Sequence, residues 1–249
     1  IAGNYGGGLL LQESSGEFSE CVFERNQALE GGGVFSYDGD PDFIGNEFVG
    51  NYATTTDEGA WGPGGGGGAM WMYGSGTVAD NHMHENHSDY HAGGAYFYYG
   101  TVEFTGNTVA YNTNGEDGAG VYFSVSSSTI NNNVFEGNAA YDDGGGLRLY
   151  YGDCTIEDNE FIGNTAGDDG GGAKFSHSEH YLSGNYFEGN ATGDAGGGLE
   201  LEDAAIAIGE GQGAVAEPQA PTLHRHSKLR NAVHNHRQPL DDRRGEDLS

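Results

Sequence analysis

The chain has 249 residues, of which 47 are glycine and five are proline, and 35% are hydrophobic. This much glycine with so little proline excludes a collagen triple helix and a polyproline linker, while the hydrophobic share is sufficient for a packed core. The formal net charge of −29 excludes nucleic acid and anionic lipid as partners, because both would be repelled, and it favours cations or a cationic partner.

A repeat of 26 residues organises the chain up to about residue 202. Each copy has a glycine directly before a short apolar run, and these glycines are Gly8, Gly33, Gly68, Gly94, Gly120, Gly146, Gly172 and Gly198. The spacings are 25, then 35, then 26 residues five times, so we expect an insertion at about residues 52–67, which contains Trp61. Because Ile1 already lies inside the first copy, the chain reads as a processed product or a part of a larger protein.

Asparagines recur at two fixed positions in the repeat. Those that follow the glycine by 18 residues are Asn26, Asn51, Asn86, Asn112, Asn138, Asn164 and Asn190. The column five residues earlier consists of Cys21, Asn46, Asn81, Asn107, Asn133, Asn159 and Asn185. Asparagine tolerates left-handed backbone, and its amide can bond to the same residue in the next copy. Both columns therefore predict structural ladders at turns.

Three short apolar segments per copy, each with alternating residues, predict three β-strands and leave no room for a helix of about ten residues. One buried column consists of Phe23, Phe48, Met83, Val109, Phe135, Phe161 and Phe187. Successive copies can bury such columns only by stacking, with equivalent strands about 4.8 Å apart. The sequence thus predicts an all-β, single-stranded parallel β-helix of about eight coils over residues 1–202.

Two short motifs resemble those of a known family. The segments GGLL, GGVF, GGAM, GGAY, GGLR, GGAK and GGLE, with FERN, FVGN, FEGN and FIGN, are similar to the repeats of chlamydial polymorphic outer-membrane proteins. Related bacterial and archaeal surface proteins carry similar repeats. The resemblance implies a right-handed, pectin-lyase-like β-helix displayed outside the cell or at its surface, often as an adhesin or an autotransporter passenger.

The repeat pattern ends after residue 202. Ala216 stands where the next asparagine is expected, and residues 203–249 carry six of the nine Lys and Arg residues. We expect an irregular or disordered tail, or a cap over the last coil. The alternative is that this segment is translated in a shifted reading frame and is not native sequence.

Carboxylates stack at the corner that precedes the glycine. They are Glu116, Asp117, Asp142, Asp143, Asp168, Asp169 and Asp194. Like charges about 4.8 Å apart repel each other, and a calcium ion could bridge neighbouring rungs. The column therefore predicts a calcium site, with exposed acids that merely increase solubility as the alternative.

The outward positions of the first strand are rich in large apolar side chains. They are Phe35, Tyr37, Met70, Met72, Tyr96, Tyr98, Tyr122 and Tyr150, with Tyr99 and Tyr151 at the adjoining bend. An exposed aromatic stripe favours a binding face for a glycan or a surface protein. The alternatives are that tyrosine simply favours β-structure or that the insertion covers the stripe.

Two bases are further candidates. Arg148 and Lys174 lie on adjacent rungs of the outward face. In pectate-lyase-like β-helices such a base acts beside calcium-binding acids. The alternative, which the net negative charge favours, is that both residues pair with Asp142, Asp168 or Glu200.

A run of histidines is the last candidate. The segment NHMHENHSDYH contributes His82, His84, His87 and His91. His82 and His84 flank an inward Met83, with Glu47 on the rung before His82. These histidines suit a transition metal by ligand type, or are ordinary surface imidazoles.

These observations together predict a non-catalytic extracellular domain with an adhesin-like binding or scaffold function, stabilised by calcium. A calcium-dependent polysaccharide lyase and a structural spacer or filament subunit that stacks end to end remain as alternatives. The sequence has no apolar run of about 18 residues, so we expect no membrane insertion by this segment. Cys21 and Cys154 should lie five coils apart, about 24 Å, and should not pair.

Overall fold

The computed structural model describes residues 5–55 and 65–208, and the regular structure in these ranges consists of β-strands. Coils 1 and 2 contain β1 (Leu9–Gln12), β2 (Gly16–Ser19), β3 (Val22–Glu24), β4 (Gln27–Ala28), β5 (Val34–Tyr37), β6 (Pro41–Ile44), β7 (Glu47–Val49) and β8 (Tyr52–Ala53). Coils 3 and 4 contain β9 (Met70–Tyr73), β10 (Gly76–Ala79), β11 (His82–His84), β12 (His87–Ser88), β13 (Ala95–Gly100), β14 (Val102–Thr105), β15 (Thr108–Ala110) and β16 (Thr113–Asn114). Coils 5 and 6 contain β17 (Val121–Ser126), β18 (Thr129–Asn131), β19 (Val134–Glu136), β20 (Ala139–Ala140), β21 (Leu147–Tyr150), β22 (Thr155–Glu157), β23 (Glu160–Ile162) and β24 (Thr165–Ala166). Coils 7 and 8 contain β25 (Ala173–Ser176), β26 (Glu179–Ser183), β27 (Tyr186–Glu188), β28 (Ala191–Thr192), β29 (Leu199–Glu202) and β30 (Ala205–Ile208).

Equivalent strands of successive coils form four parallel sheets. The first and second strands of the coils form sheets of eight strands, and the third and fourth strands form sheets of seven. Residues pair with their equivalents one coil away, as Phe104 does with Ile130 and Ile130 does with Ile156. The prediction of an all-β parallel β-helix is confirmed, with seven coils of four strands and the first two strands of an eighth.

Inward side chains form one continuous core along the axis. Phe135 and Phe161 stack with ring centroids 4.8 Å apart, and Phe161 and Phe187 stack at 4.6 Å. Phe104, Phe135 and Phe161 have no exposed surface. Burying a side chain of this size stabilises the fold by about 1.5–3 kcal/mol, so repetition of the column compensates for the shortness of the strands.

The two asparagine columns are buried ladders, as predicted. The Asn138 Nδ2 group donates to Asn164 Oδ1 and to the Val109 carbonyl oxygen, each at 2.9 Å. Its Oδ1 atom accepts from the backbone N–H and the Nδ2 group of Asn112, each at 3.0 Å. Each side chain thus satisfies two backbone groups of the preceding coil and bonds to the equivalent asparagine side chains of the coils before and after it.

The glycine corner is required by the close approach of neighbouring coils. A Cβ atom at Gly145 would lie 2.3 Å from the carbonyl oxygens of both Gly171 and Thr165. Backbone oxygens cannot move aside as a flexible side chain can, so a larger residue at Gly145 would require the backbone of the corner to shift. This contact explains why the paired glycines recur.

The coil has four strands rather than the three predicted. The fourth strand follows the asparagine column that contains Asn138 and is two residues long, as in Ala139–Ala140. Its inward residue is small, for example Ala140 or Ala166. Two residues are too few for an alternating pattern, so the sequence carried no periodic signal for this strand.

The register of the third coil differs by one residue from the prediction. Met70, rather than Ala69, pairs with Val34 and with Ala95. Met70 and Met72 therefore point into the core and are fully buried, and Trp71 takes the outward position. The prediction that the two methionines face outward is wrong, because the corner glycine of this coil is replaced by Ala69.

The boundaries of the predicted segments also change. Tyr52–Ala53 forms the regular strand β8, and Gly66 pairs with His91, so both ends of the predicted insertion belong to ordinary coils. The solenoid continues past residue 202, because β30 pairs with β26 and buries Ile206. Residues 56–64, with Trp61, and residues 209–249, to which the question of reading frame applies, lie outside the described residues.

Candidate functional site

The outward aromatic side chains of the first sheet are buried. Phe35, Trp71, Tyr96 and Tyr122 align on successive strands and are between 1% and 6% exposed. They form an apolar cluster separate from the main core, together with Ala92 from the turn before β13. The expectation that Phe35, Tyr96 and Tyr122 form an exposed face is therefore wrong, because the turn segments fold over this part of the sheet.

The covering turns are held by a column of hydrogen-bond acceptors. His91 Nδ1 accepts from the Asp117 N–H at 3.3 Å, and Asp117 Oδ1 accepts from the Asp143 N–H at 3.3 Å. Asp143 Oδ1 accepts from the Asp169 N–H at 3.2 Å, and Asp169 Oδ1 accepts from the Ala195 N–H at 3.0 Å. We name Asp117, Asp143 and Asp169 the inner acidic column. Three of the seven predicted calcium ligands thus have a structural role of the same kind as the asparagines.

Lys174 forms ion pairs with two of the three carboxylates of the inner acidic column. Its Nζ lies 2.7 Å from Asp143 Oδ2 and 2.9 Å from Asp169 Oδ2, and its side chain is 7% exposed. Burial alone would lower the pKa of Lys174, but the hydrogen bonds to both aspartates outweigh it and raise the pKa. Lys174 thus forms ion pairs, but the predicted partners Asp142, Asp168 and Glu200 are wrong, because Asp143 and Asp169 are the aspartates that lie beside it.

Arg148 is enclosed in the same layer. Its Nη1 donates to the Leu149 carbonyl oxygen at 2.9 Å and to Ser176 Oγ at 2.8 Å. Arg148 pairs with Lys174 on the adjacent rung, as predicted, and both residues are about 95% buried. A catalytic base must reach its substrate within hydrogen-bond distance. The position of Arg148 and Lys174 beneath the turns favours a structural role for both.

Burial shifts the pKa values of His91 and Asp117, which lie at the start of this column. It lowers the pKa of His91 to about 3, with a smaller contribution from the Arg148 charge. Burial also raises the pKa of Asp117 to about 6, although the nearby Arg148 opposes this shift. His91 is therefore a neutral acceptor near pH 7, in agreement with its hydrogen bond to the Asp117 amide.

The other four predicted calcium ligands form an outer acidic column, which consists of Glu116, Asp142, Asp168 and Asp194. Backbone bonds hold them one above the other, as between the Asp168 N–H and the Asp142 carbonyl oxygen at 2.9 Å. Burial and a side-chain hydrogen bond to Asp142 raise the pKa of Glu116. Glu116 and Asp142, on neighbouring coils, thus influence each other's ionisation. A bridging cation would interact with the same pair.

We predict that Ca²⁺ raises the melting temperature more than Mg²⁺ does at matched ionic strength. Calcium accepts irregular oxygen coordination at about 2.3–2.6 Å, whereas magnesium needs a compact octahedron. Thermal unfolding followed by circular dichroism measures the effect, which Asp142→Asn should abolish and the exposed Glu160→Gln should leave unchanged. An equal rise with both ions would exclude a calcium site in the outer acidic column.

Tyrosines are accessible at the end of the first-sheet strands. We name this surface the tyrosine ridge, and its members are Tyr37, Tyr73, Tyr98, Tyr99, Tyr150 and Tyr151. Tyr99 is 53% exposed and Tyr151 is 46% exposed. Tyr73 stacks on Tyr99 with centroids 6.0 Å apart, and Tyr151 stacks on His177 at 5.0 Å. The sequence pattern predicted the other five members of this surface but not Tyr73, because the third coil lies one residue out of the predicted register.

Bulky residues of the ridge adopt left-handed backbone. Tyr99 has a φ of 58°, Tyr151 of 55° and His177 of 62°, and Val125 at the same position of the intervening coil has 55°. This conformation is unfavourable for residues with a Cβ atom and especially for β-branched ones, whereas glycine adopts it freely. Large side chains at such positions indicate a requirement that backbone preference does not explain.

The histidine pair lies on a different sheet. His82 pairs with Glu47 across β11 and β7, as predicted, and Met83 between the two histidines is fully buried.

Neither cysteine is paired in the structure, as expected. Burial raises the pKa of Cys154 to about 11, which keeps its thiol protonated and unreactive.

Comparison with known proteins agrees with this architecture. A family model described as the right-handed beta helix region matches residues 54–192, more than half of the chain. The chain therefore belongs to the right-handed β-helix family. No curated protein and no solved structure matches it. Within residues 5–55 and 65–208, no helix has the length and apolar character needed to cross a bilayer.

Proposed function

We propose that the protein is a non-catalytic binding domain at the cell surface, and that the tyrosine ridge binds an uncharged glycan chain. The observation that carries this proposal is the exposure of Tyr99 and Tyr151 at positions where the backbone favours glycine. A domain that served only as a spacer would gain from these side chains only their stacking on neighbouring rings. The resemblance of the GG and Phe-x-x-Asn motifs to chlamydial surface repeats supports the proposed location and an adhesin-like role.

A glycan suits the ridge because of its shape and charge. Tyrosine rings present flat apolar faces with a hydroxyl group at the edge, a combination that stacks on sugar rings and bonds to their hydroxyls. Equivalent positions recur about every 4.8 Å along the solenoid, so a linear polysaccharide can contact several coils at once. The net charge of −29 disfavours an acidic polysaccharide.

We predict that Tyr99→Gly and Tyr151→Gly each weaken glycan binding by a factor of about two to ten, since one aromatic contact contributes about 0.5–1.5 kcal/mol. Because glycine relieves the left-handed backbone at both positions, the melting temperature should stay the same or rise. A glycan array identifies the ligand, and calorimetry then gives the affinity of each variant. Tyr141→Ala is the matched control, because Tyr141 is 71% exposed but lies away from the ridge.

Two outcomes would count against the proposal. Unchanged affinity in the Tyr99→Gly, Tyr151→Gly double variant would exclude the ridge as the binding surface. New ultraviolet absorbance after incubation with acidic polysaccharides and calcium would instead favour a lyase. Such activity would also require that Lys174 or Arg148 leave the buried positions described above, which their replacement by methionine would test.

A further inference from the structure

We propose that Glu47, His82 and His84 bind a divalent transition-metal ion of the Zn²⁺ type on the outer face of the third sheet. We name this group the His-Glu site. It lies apart from the tyrosine ridge and from both acidic columns, and it does not depend on the proposed glycan binding.

The alternation of the strand brings the two histidines to one face. His82 and His84 are two residues apart on β11, and the side chain between them, Met83, points into the core. Glu47 lies directly beside His82 on β7, at the spacing of adjacent strands, about 4.8 Å. The site thus joins coils 2 and 3 through backbone that the sheet holds in place.

The ligand atoms already converge. One atom from each of the three side chains lies within 4.8 Å of the other two, and this is the only such trio of His, Cys, Asp or Glu in residues 5–55 and 65–208. His84 Nε2 lies 3.2 Å from Glu47 Oε1. An ion bound at about 2.0–2.1 Å in tetrahedral geometry has ligand atoms about 3.3 Å apart, so this pair has the required separation.

His82 completes the set by a small side-chain rotation. Its ring stacks on that of His84 with centroids 4.2 Å apart and planes 24° from parallel. His82 is exposed, so no core packing opposes the rotation.

The donor set selects the class of ion. Two imidazoles and one carboxylate suit zinc, copper or nickel, whereas calcium and magnesium prefer oxygen alone. The side chains of Glu47 and His84 are 46% and 20% exposed, so the site is accessible and the fourth position is open to water or to a donor from a partner. The acidic surface also raises the local concentration of cations.

Calorimetric titration with Zn²⁺ tests the proposal on the full chain. His224, His226, His234 and His236 are first replaced by asparagine, because they are further imidazoles that could bind the ion. We expect one ion per chain in this background. His82→Asn and His84→Asn should each weaken binding more than about 100-fold, since even an outer hydrogen-bond partner of a metal ligand contributes about 10- to 100-fold.

A matched control and a second readout complete the experiment. His87→Asn removes a nearby partly exposed histidine outside the site and should bind Zn²⁺ as tightly as the background does. Co²⁺ should give the visible absorbance of a four-coordinate site, which both ligand variants lose. Circular dichroism verifies that the variants are folded. His82→Asn is expected to fold as the background does, because position 82 is exposed. Equal Zn²⁺ affinity in the background and in His82→Asn and His84→Asn would overturn the proposal.

Discussion

Replacement of Asn138 by alanine is expected to lower the free energy of unfolding by about 3–5 kcal/mol. The substitution removes four hydrogen bonds and leaves unpaired the Val109 carbonyl oxygen and the Asn112 backbone N–H. Asn138 is completely buried, so water cannot replace the lost partners. Each unsatisfied buried group costs about 1–3 kcal/mol, and one break interrupts the ladder in both directions.

Urea unfolding monitored by circular dichroism measures this loss. Asn131→Ala is the control, because Asn131 is only partly buried at the end of β18 and lies outside both ladders. Its substitution should change stability by less than about 1 kcal/mol. If the two variants were equally stable, the ladder would not be a main determinant of the fold.

Replacement of Lys174 by methionine is expected to destabilise the protein by about 2–4 kcal/mol. Methionine keeps the length of the side chain but leaves Asp143 and Asp169 without their counter-charge beneath the turns. Removal of one partner from a fully buried ion pair costs about 3–5 kcal/mol, and the value here is lower because both carboxylates retain some contact with water.

The same variant should show a characteristic pH dependence. The folded-state pKa of Lys174 is raised above 10.5, so its stabilising contribution is complete below that pH and is lost as the pH rises through the folded-state pKa. The difference in unfolding free energy between the wild type and Lys174→Met should therefore be constant near neutral pH and shrink above about pH 10.5.

An exposed ion pair provides the control for this prediction. Arg25 and Glu24 are 3.2 Å apart, with side chains 81% and 50% exposed. Arg25→Met should change stability by less than about 1 kcal/mol, because solvent screens such pairs. If Lys174→Met were as stable as Arg25→Met, the inner acidic column would not need its counter-charge.

The stacking columns could be predicted because each obeys a strict spacing. Asn138 and Phe135 recur with their equivalents at 26-residue intervals, and only coil-on-coil stacking can bury both columns. Glu47 and His82 are 35 residues apart, and their pairing was predicted because the asparagine columns align the coils before and after the insertion. The proximity of Glu47 to His84, by contrast, depends on side-chain rotamers that no spacing specifies.

The parts that were predicted wrongly depend on contacts between segments. Alternation correctly placed Tyr96 and Tyr122 on the outer face of the first sheet, but the turn with His91 and Ala92 covers them. Whether an outward residue is exposed depends on where the preceding turn lies, which a period of two does not describe. Likewise, Ala69 occupies a corner position that is glycine in the neighbouring coils. Alignment on the last glycine therefore placed the third coil one residue out of register and Met70 on the wrong face of the strand.

The sequence by itself determined the architecture of this protein, because a fixed repeat of turn asparagines, corner glycines and inward apolar residues is compatible with one kind of stacking. Tertiary structure alone decided which polar and aromatic groups remain accessible. Turns folded over the first sheet enclose Arg148, Lys174 and half of the predicted aromatic face, and they leave Tyr99 and Tyr151 in solvent. The physical reason is that burial depends on all neighbouring segments, whereas periodicity records only the side of a strand on which a residue lies.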